Sequence, residues 1–194
     1  MASKIVLVTG GARSGKSTFA EQYAETYGDN VSYIATAQVY DQEMQTRVDL
    51  HRTRRPDSWY TYEAPYADEA IICEATTRSD VVLFDCLTLY TTNLLLAADT
   101  AATSYDRQQF VLERVGKVIA AARSSNSTII FVTNEVGLGI VPDNALAREY
   151  RDLAGWVNQK VAASADEVYL VISGLAVEIK KLARNLGEEV HRRG

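Results

Sequence analysis

The chain has 194 residues and a mass of 21.4 kDa, is 47% apolar, and carries a net charge of −5 with a pI near 5.1. That length and apolar content are expected to give one α/β domain with a full core, and the acidic balance argues against a nucleic-acid-binding surface. No apolar run approaches the ~20 residues of a membrane span, and the first is a short strand rather than a signal sequence, so a soluble cytoplasmic protein is expected.

Ile5 to Val8 form a short apolar run that reads as a buried parallel strand. It leads into Gly10, Gly11, Ala12, Arg13, Ser14, Gly15, Lys16 and Ser17, the spacing of a phosphate-binding P-loop. Glycines let backbone N–H groups turn toward a phosphate without a Cβ in the way. Lys16 can reach the β- and γ-phosphates, and the Ser17 hydroxyl can ligate Mg²⁺. A helix follows with Phe19, Ala20, Tyr23, Ala24 and Tyr27 on one face, its N-terminal dipole aimed at the same anion.

Val31–Ala35 reads as a second strand, with Thr36, Ala37 and Gln38 at its carboxyl end. In an open parallel sheet that end faces the ligand crevice, so Thr36 and Gln38 are either nucleotide contacts or a plain turn. Residues 41–55 are strongly polar, with a weak helical stripe from Met44, Val48 and Leu50. His51-Arg52-Thr53-Arg54-Arg55 is either a solvated charged face or a set of cations for a triphosphate beside a well-placed imidazole. His191, in the polar tail that begins at Lys180, is expected to be inert, and the tail partly disordered. Trp59–Glu63 is β-prone, and Tyr66–Thr76 reads as a helix turning Ala67, Ala70, Ile71 and Cys73 inward. The two cysteines, Cys73 and Cys86, lack metal-ligand spacing and sit among apolar residues, which points to buried thiols.

Val81–Phe84 followed by Asp85 looks like a strand ending in a Mg²⁺-associated acid of the Walker B type. An apolar helical piece runs from Cys86 to Leu96, and residues 98–104 read as an exposed loop. A long helix follows from Tyr105 to Arg123, with Phe110, Val111, Val115, Val118, Ile119 and Ala122 at helical spacing. Thr128–Thr133 is a fourth strand. At its end Asn134–Gly139 is either a ligand-side bend, with Glu135 as acid, base or metal-supporting group, or a structural turn. A helix over 143–164 carries Leu146, Tyr150, Leu153, Val157 and Val161, then comes a strand over 167–172 and an antiparallel edge strand near 175–179. Strands alternating with helices predict a mainly parallel, RecA-like twisted sheet flanked by helices in one P-loop domain spanning 1–194.

A P-loop with a Walker B acid leaves kinases, ATPases and GTPases open, although the GTPase base-reading pattern Asn-Lys-x-Asp is absent. The motifs narrow this. Leu7–Ser17, Tyr33–Gln38, Arg47–Arg52 with Arg55-Pro56, Trp59 and Glu63, Val132–Pro142, Arg151–Gly155, Val157–Gln159 and Ala165–Val168 resemble, in that order, the bifunctional adenosylcobinamide kinase and adenosylcobinamide-phosphate guanylyltransferase family. The resemblance implies that His51 accepts GMP from GTP. It also implies that Gly10–Ser17, Thr36, Ala37, Gln38, Arg52, Thr53, Arg54, Arg55, Glu63 and Asp85 line the GTP site. Ser17 and Asp85 would hold Mg²⁺, with GTP and ATP as co-substrates, adenosylcobinamide and its phosphate as acceptors, and a homotrimer as the assembly. A different P-loop small-molecule kinase, or a nucleotide-binding regulatory module without chemistry, are the rival readings.

Overall fold

The structure is a computed structural model that describes residues 3–38, 42–53, 55–99 and 101–184, apart from the side chains at 43, 44, 47, 49, 50 and 51. Arg54, His191 and the tail beyond 184 lie outside the described residues, as do the expectations attached to them.

β1 (Lys4–Gly10), β2 (Val31–Ala35), β3 (Tyr60–Glu63), β4 (Val81–Asp85), β5 (Thr128–Asn134), β6 (Glu167–Ile172) and β7 (Leu175–Glu178) form one sheet. Its order is β3-β2-β4-β5-β1-β6-β7, parallel throughout except for the final β6–β7 hairpin. The mainly parallel architecture expected from the alternating pattern is therefore present. One strand, β5, separates the P-loop strand β1 from the acid-bearing strand β4.

Both faces of the sheet are covered, which is why its central strands are continuous apolar runs rather than alternating ones. Along β1, Ile5 and Leu7 enter one core with Ile34, Phe84 and Phe131, while Val6 and Val8 enter the other with Tyr33, Leu83 and Val132. The first core is roofed by α3 (Glu69–Arg78), α4 (Leu87–Ala97), α5 (Ser104–Ser124) and α6 (Ala145–Ser164). The second is covered by α1 (Lys16–Tyr27) through Ala20, Tyr23 and Ala24. The remaining helix, α2 (Gln42–Thr53), precedes β3 in the chain. The long helices start where side chains satisfy their orphan N–H groups. Thr103 and Asp106 form a capping box on α5, and Asn144 accepts from Ala147 N on α6.

Three details differ from the sequence pattern. Asp68 caps α3 by accepting from Ala70 N and Ile71 N, so the helix starts later than expected and its phase turns Ile72 and Ala75 inward. Ala70 and Cys73 are exposed as a result, and only Cys86 of the two thiols is buried. Phe110 and Leu146, at the leading edges of their helical stripes, are 42% and 45% exposed. No described helix is long and apolar enough to cross a membrane.

Candidate active site

The carboxyl ends of β1, β2, β4 and β5 lie along one edge, and the P-loop leaves β1 there. Gly10 pairs with Asn134 of β5 and Val171 of β6. A Cβ on Gly10 would stand 2.5 Å from the Val171 carbonyl oxygen and 2.6 Å from Ser14 Oγ. The sheet thus leaves no room for any side chain at the start of the loop. Gly15 caps α1 at φ 95°, in left-handed backbone that favours glycine. The loop is pinned by Gly174 N donating to Ser14 O (2.8 Å) and Glu135 N donating to Gly10 O (3.1 Å). Thr9 Oγ1 and Ser14 Oγ are buried with no hydrogen-bond partner among the described residues. A buried hydroxyl without a partner costs ~1–3 kcal/mol, and Ser14 Oγ lies inside the loop next to Gly10. Gly10→Ala is expected to destabilise the protein by ~1–3 kcal/mol, as overpacking does, and to weaken GTP binding; thermal melting and a binding titration measure the two effects.

Lys16, the first residue of α1, donates back to Gly11 O at 3.3 Å. Partial burial draws its ammonium below the usual lysine range, while the negative side chain of Asp85 pulls in the opposite direction. Asp85 ends β4 in register with Ala35 of β2 and Val132 of β5. Val132 in turn pairs with Val8 of β1, so Asp85 and the P-loop strand are two strand spacings apart, ~10 Å. The Tyr33 hydroxyl donates to Asp85 Oδ2 at 2.9 Å. Burial, and then Asp85, push the Tyr33 phenol well above its ordinary range, which keeps it a neutral donor. Cys86 follows Asp85, and burial raises its thiol to about 12, so it stays protonated near neutrality.

Thr36 clasps this edge together. Its hydroxyl accepts from Cys86 N and donates to Cys86 O, both at 2.8 Å, its N–H donates to Asp85 O, and its carbonyl accepts from Asn93 Nδ2. Thr36 is fully buried and each of its polar atoms already has a partner, whereas Ala37 and Gln38 just beyond it are half-buried. Asn93 also donates to Pro65 O, tying α4 to the stretch after β3.

His51 lies in the last turn of α2, and Thr53 ends the helix. In the turn that follows, Arg55 N donates to Arg52 O, and the Arg55 guanidinium lies 3.6 Å from the centroid of the Tyr33 ring. The Arg52 guanidinium is paired with Glu63 of β3 at 3.0 Å, both largely exposed. The fold thus brings Asp85 and Arg55 together on Tyr33, with Lys16 of the glycine-rich loop within electrostatic reach of Asp85, whereas Arg52 and Glu63 meet each other at the β3 side of the edge.

On the other flank, Asn134 N donates to Thr88 Oγ1 (2.8 Å), Asn158 Nδ2 donates to Asn134 O (3.2 Å), and Thr133 Oγ1 donates to Asn158 Oδ1 (2.8 Å). These bonds fix the end of β5 against α4 and α6. The loop beyond carries Leu138, Ile140 and Val141, which are 87%, 96% and 59% exposed. The sequence assigns no site role to Tyr33, Thr88, Asn93 and Asn158, although Tyr33 and Asn158 stand in motifs that carry the resemblance. The available signal was polar side chains inside otherwise apolar strand and helix stripes, which must find partners when buried.

The donor set suits a hard cation held through a nucleotide. Ser17 and Asp85 offer a hydroxyl and a carboxylate oxygen, and among the described residues no three acidic, histidine or cysteine side chains cluster as a metal cage. Mg²⁺ characteristically takes one or two protein oxygens, with phosphates and water completing its shell. Two depressions of about 310 and 330 Å³ lie at the opposite, amino end of the sheet around Tyr27 and Asp80. Neither is lined by the glycine-rich loop, by Lys16 or by Asp85.

Residues 6–179 match a family model described as cobinamide kinase / cobinamide phosphate guanyltransferase. The chain is 45% identical over 183 residues to the bifunctional adenosylcobalamin biosynthesis protein CobU of Escherichia coli, covering 91% of this chain and 99% of that protein. It is 43% identical over 174 residues to the corresponding CobP protein of Pseudomonas aeruginosa, covering 90% and 96%. Among solved structures, a KaiC-like protein of Pyrococcus horikoshii aligns with a TM-score of 0.48 at 15% identity, over 87% of this chain and 71% of that one. With its family match running through nearly the whole chain and relatives similar along almost their entire length, the protein belongs to the cobinamide kinase / cobinamide phosphate guanyltransferase family of transferases.

Proposed function

We propose that the protein is a bifunctional enzyme of adenosylcobalamin synthesis whose two reactions share the P-loop edge. In the first, the hydroxyl oxygen of the aminopropanol arm of adenosylcobinamide attacks the γ-phosphorus of ATP or GTP. The bond to the β-phosphate oxygen breaks, the nucleoside diphosphate leaves, and the hydroxyl proton passes to solvent. In the second, a ring nitrogen of His51 attacks the α-phosphorus of GTP and pyrophosphate leaves. The substrate phosphate then attacks that phosphorus, the P–N bond breaks, and adenosylcobinamide-GDP forms with His51 regenerated. Splitting the transfer in this way predicts ping-pong kinetics.

In this reading the N–H groups of Gly10–Ser17 and the Ser14 hydroxyl cradle the phosphates, and Lys16 neutralises charge on the transferring group or on the departing pyrophosphate. Ser17 and Asp85 hold Mg²⁺, which supplies charge neutralisation across the phosphate oxygens. Arg52, Thr53, Arg54 and Arg55 flank the triphosphate beside His51. Ala37, Gln38 and Glu63 border the nucleotide, and Thr36 acts by holding the edge in shape. The carrying observation is the contact of Arg55, four residues after His51, with the tyrosine that holds Asp85. A homotrimer belongs to the same reading, with the exposed Leu138, Ile140 and Val141 as apolar surface for a neighbouring copy.

Incubation with Mg²⁺ and α-labelled GTP is expected to leave acid-labile, alkali-stable label on the denatured protein, while γ-labelled GTP leaves none. Chelation of Mg²⁺ is expected to lower labelling by about 100-fold, the scale of losing one electrostatic stabiliser. A folded, GTP-binding protein that takes no α-label would refute the transferase half and leave a P-loop kinase.

A further inference from the structure

Tyr33 is used on two sides at once. It pairs with Leu83 across β2 and β4, which makes Asp85 its diagonal neighbour on the same face, within reach of a side chain as long as tyrosine. Its hydroxyl donates to Asp85 Oδ2 at 2.9 Å, and its ring carries the Arg55 guanidinium at 3.6 Å from the centroid. The residue is only 4% exposed. A phenylalanine or leucine would fill this part of the core as well by apolar area alone. What tyrosine adds over both is a donor to a carboxylate, stronger than a bond between neutral groups, and over leucine also a π-face for a cation in a partly desolvated place.

We propose that Tyr33 is a positioning residue that fixes the Asp85 carboxylate and the Arg55 guanidinium relative to each other. Through it the turn that follows the His51-bearing helix is registered against the P-loop edge. The proposal rests on the function assigned above for the roles of Asp85 and Arg55 toward the nucleotide. The geometry separates the two duties by atom. The hydroxyl orients the acid, and the ring anchors the turn. Arg55 N–Arg52 O (3.3 Å) and Trp59 N–Pro56 O (3.1 Å) are the backbone bonds of the anchored segment.

Two substitutions divide these duties. Tyr33→Phe keeps the ring and removes the donor. It is expected to raise the Mg²⁺ concentration needed for half-maximal GTP binding by about tenfold, the scale of losing a hydrogen bond to a charged group. Hydrogen exchange at the Arg55 and Trp59 amides of the free protein should stay as in the wild type. Tyr33→Leu removes both features and is expected to show the same Mg²⁺ shift together with exchange about tenfold faster at those two amides, through local opening. Arg55→Gln removes the stack from the other side and should speed the same amides, which decides the point if Tyr33→Leu fails to fold.

A Tyr33 that only fills the core predicts a Mg²⁺ response in Tyr33→Phe equal to wild type, and exchange in Arg55→Gln equal to wild type. Either result overturns the proposal. Neither measurement needs catalysis. Absence of GMP labelling in the wild type would therefore overturn the guanylyltransferase reading while leaving this test intact.

Discussion

Lys16→Ala is expected to lower kinase turnover by about 10³-fold, the upper range for removing one preorganised stabiliser of developing charge. Its ammonium is the first side chain of α1 and folds back to Gly11 O over the loop, where it shares the edge with Asp85. Phosphoryl transfer asks little of covalent chemistry, so positioning and charge carry most of the rate. The same substitution is expected to depress covalent GMP labelling, because in the proposed reaction pyrophosphate leaves from the same cradle. Lys16→Arg should not restore either activity, since the planar guanidinium cannot take the place of a compact ammonium inside a tight backbone loop. Burial has lowered the Lys16 pKa, so the free enzyme loses this charge at a lower pH than an exposed lysine would. The alkaline limb of kcat/KM, which reports the free enzyme, should therefore begin early in the wild type. Between its folded and unfolded pKa values the unfolded chain binds the proton more tightly, so this group's contribution to stability rises with pH. Steady-state kinetics of both half-reactions against pH test the assignment. Full GMP labelling in Lys16→Ala, with the kinase lost, would mean two separate triphosphate sites.

The P-loop and Asp85 were legible because local backbone demands dictate their residues. Gly10 and Gly15 stand where a Cβ meets a carbonyl or where φ is positive, and four apolar residues before an acid mark a buried strand that ends at the carboxyl edge of the sheet. Strand order was not legible. The insertion of β5 between β1 and β4 rests on pairings such as Ile5 with Ile129 and Leu83 with Ile130, far apart in sequence and interchangeable in apolar character. The phase of α3 was misread because Ala70, Ile71 and Cys73 mimic a stripe, and the Asp68 cap decided between registers. Tyr33 stands in a motif of the resemblance but offers no sign of its contacts, because a tyrosine in a strand is ordinary by propensity. Its importance lies in the Arg55 turn, and no periodicity predicts that turn's position over the ring. The reading of His51 as nucleophile came from motif resemblance, since the local composition fits a solvated helix face equally well.

His51→Ala is the substitution that separates the two proposed reactions. Imidazole is largely neutral and nucleophilic near pH 7, which few other side chains can match. His51 sits two residues before the end of α2, and the chain then turns so that Arg55 meets the Tyr33 ring. In the proposed reaction this helix end delivers the nucleophile to the α-phosphorus. The expected result is complete loss of covalent GMP and a fall in guanylyl transfer of about 10⁴-fold or more, as when a covalent nucleophile is removed. Kinase turnover should stay within about threefold, the usual range for a substitution outside a step's machinery, because phosphorylation of the hydroxyl uses the γ-phosphate and needs no protein nucleophile. Free imidazole added to His51→Ala should restore part of the transfer without restoring labelled protein, because the small molecule takes GMP in place of the ring and yields it, within the site, to the attacking substrate phosphate. Two assays on one preparation therefore suffice, with γ-labelled ATP for phosphorylation and α-labelled GTP for guanylylation. Loss of both activities in a folded His51→Ala protein would make the histidine a structural part of α2. Retention of both would move the nucleophile to another side chain.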